Sequence, residues 1–428
     1  MKSYLTLTRE EMNAELKMLN ELYALEGTKG YDLDMSRGKP DATQLNLSMG
    51  MLEQNPYDLI YSHKGTDVRN YGELAGVDEA KEMFASILGI KPENVIMGGQ
   101  SSLCLMYDCF IKALVLGVRG GTKPWSQQGK VKFLCPVPGY DRHFRICEEF
   151  GVEMINIPMT PAGPDMDEVR KYAENDPSVK GIWCVPKYSN PQGYTYSPET
   201  VHAFAALKPA ADDFRIFWDN AYDVHGFREV DDYLENIFDA CEKYGSQDMV
   251  YEFMSTSKVT FSGAGVAVLA ASKENIQFLL KQMSVQTLGY DKLNQLRHVK
   301  FFGSPEGLRE HMKKQANYLR PKFDCTLAVL EKGLNGYDIG SWTHPNGGYF
   351  ISFDGLPGTA KRCVELCGKI GVKLTDAGAT FPYGKDPEDK NIRIAPSFPQ
   401  TEQLYSSMQV FCLCQRIAAL EALLKKEN

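Results

Sequence analysis

The chain has 428 residues, 43% hydrophobic, 24% charged and 11% aromatic, the balance of a soluble globular protein with a sizeable core and about two to three folding units. Lys and Arg total 47 against 55 Asp and Glu, a formal net charge of −8, which argues against a nucleic-acid scaffold with its basic face. No uncharged apolar run approaches ~20 residues, so no membrane span is expected, and Arg9, Glu10, Glu11 and Glu15 leave no signal-peptide core near the start.

Thr8 and Glu11 have the form of a capping box, and Met12, Leu16, Leu19 and Leu22 follow at helical spacing, predicting a helix within the first 25 residues. From Met35 to about Pro56 the breakers Gly38, Pro40, Gly50 and Pro56 predict irregular chain. Short β-branched or aromatic runs then recur at 95–97, 131–135, 181–185, 215–218, 250–254 and 265–270. Amphipathic stretches at 102–116, 140–150 and 198–207 lie between several of them, the last opened by Ser197 and Pro198 as N-cap and first helical residue. Strands alternating with helices predict an α/β fold with a mostly parallel sheet covered on both faces. From about Pro305 the pattern changes to a long polar helix (305–333), an aromatic run (347–353), a helix near 360–370, a segment at 391–395 and a final helix (402–426). This predicts a large α/β domain over 51–304 and a smaller α+β domain built from 1–50 and 305–428.

The eleven cysteines are odd in number and form no CxxC pair. They are expected to be packed thiols of a reducing, cytoplasmic compartment. The seven histidines show no HxxxH or HExxH spacing, so no metal site is expected.

Ligands of open α/β sheets bind beyond the carboxyl ends of the strands. After 95–97 comes Gly98-Gly99-Gln100-Ser101-Ser102, opening into a helix. Backbone N–H groups and the helix dipole favour an anion there, although a plain helix cap reads the same way. After 131–135 the turn Pro136-Val137-Pro138-Gly139-Tyr140 throws out an aromatic ring, with His143 on the same helical face. After 181–185 comes the turn Asn190-Pro191-Gln192-Gly193. The run 215–218 ends on Asp219, with Tyr222 beyond it, and a carboxylate closing an apolar strand is costly to bury unless paired. After 250–254 comes Ser255-Thr256-Ser257-Lys258, where a lysine among hydroxyls is either solvated or an activated amine. Together the strand ends present an anion cradle, a flat ring, an amide, a carboxylate with a phenol, and a lysine. That inventory suits a phosphorylated aromatic aldehyde held on the lysine.

In order and spacing, Asn190-Pro191-Gln192-Gly193, Asp219-Asn220-Ala221-Tyr222, Ser257-Lys258 and Asn391-Ile392-Arg393 resemble the fold-type I pyridoxal-phosphate aminotransferases, and among them a divergent subgroup of aspartate aminotransferases. The resemblance runs from Arg37-Gly38 to Arg393. It implies pyridoxal 5′-phosphate as cofactor, joined to Lys258 as a Schiff base, with Lys258 then moving the proton as general acid and base. It implies Asp219 at the pyridine nitrogen with His143 in support, Tyr140 stacked on the ring, and Asn190 and Tyr222 on the ring oxygen. Gln100, Ser101, Ser102, Ser255 and Ser257 would surround the phosphate and the lysine. Tyr71 would cross from the partner subunit of a homodimer with shared sites. Arg393 and the Gly38 backbone would grip the substrate α-carboxylate, a geometry that suits arginine and not lysine.

Most members of the family it resembles carry an arginine in a Gly-x-Arg-x-Gly segment after the lysine; this chain reads Gly263-Ala264-Gly265-Val266-Ala267. Lys292 is the candidate replacement cation for the phosphate. The same Gly-x-Gly is no nucleotide fingerprint, since it lacks the third glycine and its acidic partner. The expected reaction passes the amino group of L-aspartate to 2-oxoglutarate. Arg37, Arg142 and the 290–297 loop are candidates for holding the distal carboxylate. Two alternatives stay open. One is an alanine or aromatic aminotransferase or a β-lyase of the same fold, differing at the distal pocket. The other is a cofactor-sensing effector domain, which calls for a winged-helix module that the first 50 residues are too short to form.

Overall fold

The computed structural model of the protein describes residues 2–426. Its strands, in chain order, are β1 (Leu33–Asp34), β2 (Val95–Met97), β3 (Lys132–Val137), β4 (Glu153–Thr160), β5 (Gly163–Pro164), β6 (Val179–Cys184) and β7 (Arg215–Asp219). They continue with β8 (Val250–Ser255), β9 (Ala267–Ala271), β10 (Gly340–Trp342), β11 (Ile351–Gly355), β12 (Val372–Lys373) and β13 (Asn391–Ile394).

Eight strands form one sheet in the order β2-β9-β8-β7-β6-β3-β4-β5. β4, β3, β6, β7 and β8 run parallel, β9 runs antiparallel between β8 and β2, and β5 folds back on β4. This is the predicted α/β architecture. Strand β7 shows why its middle, Ile216-Phe217-Trp218, is apolar throughout rather than alternating. All five residues are buried; Ile216 and Trp218 pack on one face with Leu134, Ile182 and Phe204, while Phe217 packs on the other with Phe110, Phe133 and Trp183. A central strand buried on both faces has no solvent side to alternate with. Each such side chain contributes roughly 1.5–3 kcal/mol by leaving water, and the rings interlock, with Trp183 and Phe217 centroids 4.7 Å apart.

The strand β4 goes unannounced in the sequence. Only Met154 and Ile157 of its residues Glu153–Thr160 are buried, and it includes Pro158, because only the two-residue β5 lies beyond it at that edge of the sheet.

Outside the main sheet, β10-β11-β13 form an antiparallel sheet and β1 pairs in parallel with β12. Thr8 caps the helix Arg9–Gly27 as its sequence predicts, with both reciprocal capping-box bonds made to Glu11. This helix joins the helices Ala360–Ile370 and Thr401–Lys426 around a cluster that includes Leu19, Met35, Phe353, Cys363, Leu404 and Phe411. By length and composition the segment Thr401–Lys425 is apolar enough to cross a membrane, yet Leu404, Met408, Phe411 and Ile417 are fully buried in that cluster. The helix Pro305–Leu334 serves both regions. Leu308 and Met312 pack with Phe84, Met97 and Val268 beside the large sheet, while Phe323 and Leu330 pack with Phe353 and Phe411.

Candidate active site

The carboxyl ends of β3, β6, β7 and β8 converge on a cavity of about 200 Å³ lined by Tyr140, Asn190, Asp219, Tyr222, Ser255, Ser257 and Lys258, with Ser101 and Ser102 from the start of the helix Ser102–Val115. It joins a wider cavity of about 550 Å³ that shares Tyr140, Asn190, Tyr222 and Lys258 and adds Arg37, Gly38, Asp141, Arg142, Phe350 and Arg393. Residues far apart in sequence are thus collected because each ends a strand of one parallel sheet or faces that edge.

Asp219 is buried, and its Oδ2 lies 3.0 Å from His143 Nε2. Its Oδ1 is buried with no hydrogen-bond partner among the described residues. An unmet buried carboxylate oxygen is costly, and Asp219 lines the cavity that a protonated ring nitrogen would occupy. His143 is fixed by stacking on Trp183 at 4.5 Å between centroids and by an edge contact from Tyr140 at 4.9 Å.

Lys258 places Nζ 5.0 Å from the centre of the Tyr222 ring and 5.8 Å from that of Tyr349. Burial lowers its pKa from the ordinary lysine value, with Asp219 pulling upward and Arg393 pushing further down. A depressed lysine pKa leaves more of the amine neutral, the form that attacks a carbonyl or accepts a proton. Burial also raises the Tyr222 pKa well above the usual phenol value, reinforced by Tyr140 and Asp219, so Tyr222 keeps its proton and can donate it in a hydrogen bond.

The opposite end of the smaller cavity is rich in hydroxyls. Ser255 Oγ donates to Ser257 Oγ at 3.1 Å, and Ser257 Oγ donates to the Gln100 carbonyl at 3.0 Å. Ser101 makes no capping bond to the backbone of its 14-residue helix, its Oγ reaching only Cys104 Sγ at 3.9 Å, so the helix N-terminus at this end of the cavity keeps N–H groups for an anion. Ser262 also lines this end; the sequence reading passes over it, since nothing local distinguishes it from a surface serine. The Gln100 side chain is exposed and lines a neighbouring groove with Tyr290, contributing only its carbonyl here. Serines, a helix N-terminus and a lysine suit a phosphate, and the bare Asp219 oxygen suits a pyridinium, so the donor set fits pyridoxal phosphate.

No side chain stands where the missing arginine is expected. A Cβ on Gly265 would lie 2.8 Å from the Gln100 carbonyl and 3.2 Å from Ser257 N. Lys292 lies outside both cavities: its ammonium is buried and donates to the Gly72 carbonyl at 3.0 Å. It therefore ties down the turn that presents Tyr71, which is 80% exposed and lines neither of these two cavities.

Arg393, on β13, crosses into the site with its guanidinium 4.7 Å from the Phe350 ring. Nη1 donates to Asp141 Oδ1 at 2.9 Å and to Asn190 Oδ1 at 3.2 Å, while Nε is buried without an acceptor among the described residues. Gly38 fits because it lacks a side chain: a Cβ there would meet the Phe350 ring at 2.4 Å. Arg37 and Arg142 are exposed at the rim. Asp141 and Phe350, like Ser262, are contributors that sequence reasoning misses.

Residues 7–427 match the family described as aspartate amino-transferase. An aspartate aminotransferase of Corynebacterium glutamicum is 42% identical over 394 residues, spanning 92% of this chain and 91% of that protein. The crystal structure of an aspartate transaminase from Corynebacterium glutamicum superposes with a TM-score of 0.95 at 40% identity, covering 98% of this chain and 99% of that one. An α-aminoadipate aminotransferase of Thermus thermophilus, solved with N-(5′-phosphopyridoxyl)-L-leucine, shares the fold at a TM-score of 0.71 and 20% identity, over 94% and 95% of the two chains. The protein belongs to the aspartate amino-transferase family, within the fold-type I aminotransferases.

Proposed function

We propose that the protein transfers the amino group of L-aspartate to 2-oxoglutarate, giving oxaloacetate and L-glutamate, with pyridoxal 5′-phosphate as its cofactor. The observation that carries the aspartate reading is charge. Arg37 and Arg142 line the same cavity as Arg393 and Lys258, which provides one cation for the α-carboxylate and others for a distal carboxylate. The names of the Corynebacterium glutamicum relatives agree with this donor.

Bound in the cavity, pyridoxal phosphate supplies an aldehyde that takes up the amino group and a ring that withdraws electrons from the substrate α-carbon. Asp219, held by His143, keeps a proton on the ring nitrogen. Asn190 uses its oxygen on Arg393, leaving its amide nitrogen to donate to the ring oxygen alongside the Tyr222 hydroxyl. Arg393 binds the α-carboxylate, which brings the substrate Cα proton within reach of Lys258. Lys258 Nζ then takes that proton as general base and returns it as general acid. Ser101, Ser102, Ser255 and Ser257 hold the phosphate.

The enzyme acts as a homodimer in this reading. Exposed Tyr71, on the turn held by Lys292, reaches the partner's phosphate and brings Lys292 to the same boundary. A fully active monomer by sedimentation would refute this. The eleven unpaired cysteines suit a reducing compartment, and we assign the enzyme to the cytoplasm.

Absorption titration of the cofactor-loaded protein with L-aspartate, L-alanine and L-tyrosine tests the donor. Loss of the visible band with aspartate, restored by 2-oxoglutarate, is the expected result. A response to alanine or tyrosine alone keeps the transaminase and overturns the aspartate assignment.

A further inference from the structure

Asp141 opens the helix Asp141–Glu149, the element that also carries His143. Its Oδ1 and Asn190 Oδ1 both accept from Arg393 Nη1. The Arg393 side chain is only 7% exposed, and Phe350 covers one face of its guanidinium. The guanidinium is a rigid planar fork of donors, so anchoring one nitrogen and one face sets where the remaining edge points. The remaining edge carries Nε, which is buried and lacks an acceptor among the described residues. We propose that Asp141 is a positioning residue for substrate recognition: with Asn190 it anchors Nη1 so that the Nε side of Arg393 is left without a protein acceptor and pairs with the substrate α-carboxylate. This rests on the reading of Arg393 as the α-carboxylate clamp.

A carboxylate on the same cation has a second, opposing effect. Its charge weakens the pull of Arg393 on an incoming anion, and Arg142, with Nε 4.0 Å from Asp141 Oδ2, offsets that only in part because both side chains are solvated. Anchoring and competition predict opposite signs. If anchoring dominates, removing the acceptor weakens binding, and a neutral amide oxygen in the same place restores it. If competition dominates, removing the charge by either substitution tightens binding.

The test uses the full-length, cofactor-loaded protein and the variants Asp141→Ala and Asp141→Asn. Two probes, 2-methylalanine and 2-methyl-L-aspartate, have no α-proton and so bind without turnover; their binding is read from the visible absorption. The first probes the α-carboxylate clamp alone, whatever the natural donor. Asp141→Ala is expected to weaken both probes about tenfold, the scale of a lost hydrogen bond to a charged group. It should raise KM by a similar factor for every α-amino acid, with kcat changed less than about twofold. Asp141→Asn should recover most of the affinity, and its near-identical shape guards against a folding defect in the alanine variant. Binding by Asp141→Ala equal to or tighter than wild type overturns the proposal, as does a loss confined to kcat. A wild-type protein that binds neither probe overturns the clamp and the aminotransferase reading together, whereas normal wild-type binding with an unaffected Asp141→Ala removes only the role of Asp141.

Discussion

The imidazole of His143 joins Asp219 through Nε2 and Oδ2 at 3.0 Å, with the two side chains only 2% and 4% exposed. Stacking on Trp183, with 10° between the planes, prevents the imidazole from swinging away. Asp219 lines the cavity, and its Oδ1 is left a buried acceptor with no partner among the described residues. Replacing Asp219 by Asn removes the charge aimed at the ring nitrogen. It should lower kcat by about 10²–10³, the scale for losing one preorganised electrostatic partner. His143→Ala leaves the charge but frees its orientation and should cost about 10- to 100-fold, as loss of an outer supporting group does elsewhere. Steady-state kinetics at saturating cofactor checks both, and equal losses would contradict the division of labour.

Lys258 gives a pH signature independent of turnover. Burial lowers its pKa in the folded state, so just below 10.5 the unfolded chain holds a proton that the folded chain has released. Stability of the cofactor-free protein therefore rises with pH through that window. Lys258→Ala should abolish transamination, preserve the fold, and flatten this rise. Urea midpoints between pH 7 and 10 for the two proteins provide the comparison, and parallel slopes would show that Lys258 is not the group responsible.

Glu252 carries the opposite sign. It is buried on β8, and its pKa is pushed up to about 8, chiefly by burial, against a hydrogen bond from Asn220 and with a smaller push from Asp223. Between 4.5, the ordinary glutamate value, and about 8, the folded chain holds a proton that the unfolded chain has lost. Stability is thus full on the acid side and falls as pH rises through 8. Glu252→Gln keeps an oxygen for the Asn220 Nδ2 donor, which lies 2.9 Å away. It should stabilise the protein above pH 8 by at most about 5 kcal/mol, with little effect near pH 5. Melting curves at the two pH values test this; a variant with unchanged pH dependence would place the ionisation elsewhere.

Asp219, Asn190 and Lys258 are legible in the sequence because each is a polar residue that closes or follows an apolar strand, where burial without a partner is expensive. The Thr8 cap is legible for a similar local reason. Asp141 is not, because an acid at a helix start needs no explanation beyond the helix dipole, and only the return of β13 brings Arg393 against it. Phe350 is likewise indistinguishable from a core aromatic until Gly38 is seen packed on its ring. Lys292 shows the limit of motif spacing. Its position points to the phosphate, but within its own chain its ammonium satisfies the Gly72 carbonyl, and no one-dimensional pattern specifies that contact.

The absence of an arginine after the lysine has a steric counterpart at Gly265. The residue is buried, and a Cβ there would stand 2.8 Å from the Gln100 carbonyl and 3.2 Å from Ser257 N and Thr256 Oγ1. Both Gln100 and Ser257 belong to the hydroxyl-rich end of the cavity, linked by the Ser257 Oγ bond. Even one methyl group must therefore push backbone apart at that end. Gly265→Ala should destabilise the protein by about 1–3 kcal/mol, the scale of overpacking, and weaken cofactor retention measured by dialysis and absorption. Gly265→Arg, which supplies the arginine expected from the sequence resemblance, should do worse rather than rescue, because the new charge arrives with the same collision at Cβ. Tighter cofactor binding by the arginine variant would show that this end of the cavity yields, and that the serines are not the sole phosphate ligands the backbone permits.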